Sequence, residues 1–65
     1  MKLTEARKIV DGSLGRSGYS VDELYGVSKV RQAVKTIQER KSSTEEDREK
    51  AESVMLTLYR YDMWK

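Results

Sequence analysis

Two apolar stripes in this chain match each other when it folds back once, and that match limits the fold more than any other feature. The first stripe is Val27, Val30, Val34 and Ile37, with Ala33 beside it, and the second is Ala51, Val54, Met55, Leu58 and Tyr61. Each recurs every three or four residues, the spacing of one side of an α-helix. In an antiparallel pair joined by a turn around Lys41–Thr44, Ile37 faces Ala51, Val34 faces Val54, Val30 faces Leu58 and Val27 faces Tyr61. This constant register predicts a helical hairpin over residues 27–63.

Capping signals divide the rest of the chain. Leu3, Ala6, Ile9 and Val10 predict a short first helix of about two turns, with Thr4 as its cap and Gly12 as its stop. Residues 12–19, GSLGRSGY, hold three glycines and two serines and read as a flexible loop. The glycine spacing fits neither phosphate-binding fingerprint, so a plain connector is the expectation. Ser20 with Glu23 forms a capping-box pattern that starts a second helix, and Asp22 there suits the helix dipole. Gly26 then either bends that helix or separates it from a longer one capped by Ser28. Ser43 with Glu46 predicts the start of the last helix, with Glu45, Asp47 and Glu49 in its acidic first part and Arg60 and Lys65 at its basic end. The expected fold is all-α, a small three- or four-helix bundle built on the hairpin, with the short N-terminal helix packed across it in one domain, 1–65.

Such a bundle has little to hold it together besides helix packing. The 65 residues contain no cysteine and no histidine, which removes disulfides, thiolate nucleophiles, the usual zinc sites and imidazole acid–base chemistry. A core in a chain this short rarely supplies more than about 3–5 kcal/mol unaided, so self-association into a homodimer is one expected state. The carboxylates cluster where a helix N-terminus favours negative charge, and the chain is too small to enclose a substrate. It is expected to be no enzyme, with no cofactor, metal or small-molecule substrate. No apolar run approaches the roughly 18–20 residues of a membrane span, and MKLTEARKIV puts charges where a signal peptide needs an apolar stretch. A cytoplasmic location without membrane contact is the expectation.

Two surfaces are candidates for partner binding. Residues 56–65, LTLYRYDMWK, concentrate aromatic and apolar side chains. Leu58 and Tyr61 continue the core stripe, whereas Leu56, Tyr59 and Met63 project to another side of the helix and Trp64 to a third. Leu56, Tyr59, Arg60, Met63 and Trp64 are therefore the expected protein-binding residues, because Tyr, Trp, Met and Arg are enriched in protein interfaces. The alternative is nucleic acid, held through Lys29, Arg31 and Lys35. Residues 1–41 carry nine Lys and Arg against five Asp and Glu, and residues 42–65 carry four against six. That asymmetry also allows self-neutralisation, with Arg40 and Lys41 at the hairpin turn near Glu45, Glu46 and Glu49. The Gly26-Val27-Ser28 turn before a basic helix departs from a helix-turn-helix, since the apolar position due about six residues on falls on Gln32.

These readings converge on a small protein-binding module that inhibits or modulates a larger protein, of the kind viruses and mobile elements encode. A basic helical DNA-binding regulator and a structural homodimer are the alternatives.

Overall fold

The structure, a computed structural model, describes residues 1–64, so the expectation for Lys65 lies outside the described residues. Four helices are present among them: α1 (Leu3–Ser13), α2 (Gly18–Tyr25), α3 (Val27–Glu39) and α4 (Glu45–Arg60). The protein is an all-α bundle, with the hairpin formed by α3 and α4 around a five-residue connection, 40–44.

The core uses both predicted stripes. Val30, Ala33, Val34 and Ile37 of α3 and Ala51, Val54 and Leu58 of α4 are buried, joined by Ala6, Ile9 and Val10 of α1 and Val21 of α2. Full burial of a side chain such as Leu58 is worth about 1.5–3 kcal/mol. The two outer positions of the hairpin, Val27 and Tyr61, are only half-buried. Every large side chain that is fully buried is aliphatic, and all five aromatic side chains lie at or near the surface.

Polar contacts fix the direction of α1. Arg40 Nη2 donates to the Met1 carbonyl at 2.8 Å, placing the start of α1 beside the end of α3. Arg7 pairs with Asp47 at 2.8 Å and Lys50 with Asp11 at 3.3 Å, so α1 and α4 advance in the same direction. Helix α1 packs most extensively against α3, which makes that pair, rather than the hairpin alone, the principal contact of the bundle.

Several predicted boundaries move. Gly12 does not stop α1, which continues to Ser13, and Thr4 does not cap it; Lys2 holds the N-cap position without a side-chain bond. Gly12 instead lies where a Cβ would fall 1.9 Å from Tyr25 Oη, so the missing side chain makes room for Tyr25. The loop shrinks to Leu14–Ser17, bridged by Arg16, whose Nε donates to the Gly12 carbonyl at 2.8 Å and whose Nη1 reaches Ser20 Oγ at 3.4 Å. Ser17, not Ser20, caps α2 by accepting from the Ser20 N–H at 3.2 Å.

Gly26 separates α2 from α3. Its φ of +85° is a conformation that side chains disfavour, and the reversal brings the Asp22 carboxylate under the Val27 N–H at 2.9 Å. Asp22 therefore caps α3, the role expected of Ser28. At α4 the capping box is Thr44 with Asp47, one residue beyond the predicted Ser43 and Glu46. Ser43 is buried and donates its hydroxyl to the Ile37 carbonyl at 2.6 Å, closing the end of α3.

Candidate protein-binding surface

Helix α4 has two sides with different tasks. Successive residues turn by about 100° around a helix, so Leu56 lies almost opposite Leu58. Leu58 is fully buried, whereas Leu56 is 50% and Tyr59 54% exposed. Leu56 and Tyr59 end an outer stripe, Glu45, Glu49, Glu52, Leu56 and Tyr59, whose steps alternate between four and three residues and whose members are all exposed. The stripe is acidic where α4 begins and apolar where it ends. Arg60, also exposed, flanks Leu56 one turn further on.

Met63 and Trp64 do not extend that stripe. The helix ends at Arg60, and Asp62 takes a left-handed φ of +59°. The Met63 N–H bonds to the Leu58 carbonyl at 2.8 Å and the Asp62 N–H to the Tyr59 carbonyl at 3.0 Å. These two bonds define a Schellman motif, which satisfies carbonyls that a helix end leaves open. The reversal turns Met63 back against the core, beside Gly18, where a Cβ would meet its Sδ at 3.0 Å. Met63 is thus a half-buried packing residue and not part of an outer face shared with Leu56 and Tyr59. Trp64 is also half-buried, and its ring lies 6.0 Å from that of Tyr59 at 34°. It packs against the core and flanks Tyr59 from the side. Tyr61 leans towards α2, edge-on to Tyr19 with centroids 5.1 Å apart.

The alternative basic residues are divided. Lys29 and Lys35 are exposed and Arg31 is half-buried. At 100° per residue, Lys29 lies about 160° around α3 from Arg31 and about 120° from Lys35. Gln38 Nε2 approaches Met55 Sδ at 3.9 Å, which places the Arg31 and Lys35 side of α3 next to α4. Arg40, assigned to the acids of α4 by the charge pattern, instead reaches Met1, while Glu46 pairs with Lys50 at 3.3 Å.

The shortest ion pair among the described residues, between Arg7 and Asp47, joins α1 to α4. Asp47 Oδ2 accepts from the Thr44 N–H at 3.0 Å and from Arg7 Nε at 2.9 Å. The Thr44 backbone bond first, and the Arg7 guanidinium second, hold its carboxyl below the ordinary value of 3.8. Lys50 is shifted upwards by its bond to Asp11 and then by Glu46. Both residues tie α4 to α1, on the far side from Tyr59.

A shallow, open depression of about 280 Å³ lies over Lys2, Thr4, Glu5 and Lys8. One helical segment supplies all four, so no second wall closes over a small molecule there. Among the described residues no group of three or more acidic side chains is arranged to hold a metal ion, and no helix is long and apolar enough to cross a membrane. Sequence reasoning did not single out Leu24, which is 52% exposed on α2, or Tyr19, which is 68% exposed. The glycine and serine content of residues 12–19 reads as a loop that includes Tyr19. No known protein family, curated protein or solved structure matches the chain.

Proposed function

We propose that this protein is a non-enzymatic, cytoplasmic protein-binding module that inhibits or modulates a larger protein through the outer side of the C-terminal half of α4. The observation that carries the reading is the exposure of Leu56 and Tyr59 on one side of a helix whose opposite side is core. Tyr59 is the stronger anchor. It offers a large ring at low entropy cost, with the Trp64 ring beside it. The basic residues of α3 support nucleic-acid binding less well, because Lys29 and Lys35 do not share a side of the helix.

The test uses Leu56→Ala and Tyr59→Ala, both exposed, with tagged wild type as bait in an extract of the cells that make it. Each variant should keep its helical circular dichroism and lose a foreign protein that wild type captures. Capture retained in both variants refutes the reading. Nucleic acid in place of protein in the eluate, lost on Lys29→Glu with Arg31→Glu and Lys35→Glu, favours the alternative.

A further inference from the structure

We infer that the outer stripe of α4 pairs with the same stripe of a second copy of this chain, antiparallel and about a two-fold axis near Leu56. The inference rests on the reading of this side of α4 as a protein interface and names its occupant in the free protein. The stripe Glu45, Glu49, Glu52, Leu56 and Tyr59 shares one side of α4, and Leu56 and Tyr59 are the apolar members that a pairing would cover. Its charge is ordered, with three glutamates in the first half and none in the apolar second half, while the exposed Arg48 flanks the first half and the exposed Arg60 the second.

That order selects the geometry. A parallel pair sets the glutamates of one copy against those of the other. An antiparallel pair centred on Leu56 brings Glu52 of each copy to the Arg60 end of its partner and carries Glu45 and Glu49 beyond the end of the partner's α4. With Leu56 meeting Leu56 of the partner subunit at the axis, Glu52 and Arg60 lie one turn to either side, so each copy's Glu52 faces the other copy's Arg60. The contact is self-complementary and occurs twice, as a two-fold interface requires. Among the described residues neither Glu52 nor Arg60 takes part in a salt bridge, whereas Asp47 and Glu46 pair with Arg7 and Lys50. Pairing also covers Leu56 and Tyr59, the two half-exposed apolar side chains of α4. A foreign target must then displace the second copy.

Sedimentation equilibrium across the micromolar to millimolar range tests the pairing with the full chain. Wild type should be a reversible dimer. Glu52→Arg sets two arginine pairs across the axis and Arg60→Glu two glutamate pairs, and each should weaken the dimer by about tenfold or more. An equimolar mixture of the two variants should dimerise again, since both contacts become complementary in the mixed pair. The double variant E52R/R60E should dimerise as wild type does, which separates pairing from any effect on folding. A monomer at every concentration overturns the proposal, as does a dimer indifferent to both single exchanges or a mixture that fails to recover. Those results leave the capture test intact, because that test reads a foreign protein; a charge-dependent dimer that captures none overturns the functional reading alone.

Discussion

Replacing Gly18 by alanine should destabilise this protein, although alanine is the better helix former. Gly18 is the first residue of α2 and is buried. A Cβ there would fall 2.7 Å from Tyr61 Cγ and 2.8 Å from Tyr61 Cβ, with Met63 Sδ at 3.0 Å. Carbon atoms in favourable contact sit about 3.5–4.0 Å apart, so the surroundings must give by most of an ångström. The obstruction is the root of the Tyr61 side chain, whose position the backbone at the end of α4 sets, and a change of ring rotamer cannot relieve it. Moving Tyr61 also disturbs its edge contact with Tyr19 and the Schellman turn that carries Met63. Overpacking of this kind costs about 1–3 kcal/mol. The helix-propensity gain is at most about 1 kcal/mol and smaller at a helix's first position. The expected net loss is about 1–2 kcal/mol, or a melting temperature lower by roughly 4–8 °C for each kcal/mol in a domain of this size. Urea unfolding followed by far-ultraviolet circular dichroism measures it. Gly12→Ala is the internal comparison: its Cβ meets only the tip of Tyr25, so adding Tyr25→Phe should recover most of any loss. A G18A protein as stable as wild type refutes the packing argument.

Three further perturbations test separate parts of the scaffold. Asp62→Gly should stabilise by about 0.5–1 kcal/mol, because glycine adopts the left-handed conformation at lower cost, although it also adds freedom to the unfolded chain; an unchanged urea midpoint speaks against the Schellman assignment. Ser43→Ala removes the hydroxyl that satisfies the Ile37 carbonyl and should cost about 1–3 kcal/mol, read in the same titration. The folded-state pKa of Asp47 is depressed, so its contribution is fully present above the unfolded value near 3.8 and is lost as pH falls through the lower folded value. Stability should therefore fall on acidification through that window, and Asp47→Asn should flatten the fall; an unchanged acid limb in that variant contradicts the role given to Thr44 and Arg7.

The parts of the fold written in periodicity were legible in the sequence, and those decided by contacts between distant residues were not. Val30, Val34 and Ile37 read as one stripe because only a helix buries that spacing together, and Ala51, Val54 and Leu58 read the same way. The capping boxes shifted because overlapping stretches satisfy the same pattern. In SSTEED both Ser43 with Glu46 and Thr44 with Asp47 fit, and the outcome follows from Ser43 being held by the Ile37 carbonyl and Asp47 by Arg7, a residue of another helix. Gly12 read as a helix stop because nothing local reveals that Tyr25 occupies the space beside it. The candidate surface divides along the same line. Leu56 and Tyr59 were found by counting around the helix, which holds as far as Arg60. Met63 was misplaced because the count assumed a continuing helix, and Asp62 gives no glycine signal for the left-handed turn that ends it.

The central claim, that the outer side of α4 binds a foreign protein, is tested most directly by a photo-cross-linking amino acid placed at Leu56 in the cells that make the protein. A second copy of the label goes at Lys8, an exposed position on α1. The account predicts a discrete adduct from position 56, heavier than two copies of the chain, that is absent from position 8 and lost when Tyr59→Ala is added. No adduct with a foreign protein from position 56, or the same adducts from both positions, contradicts it.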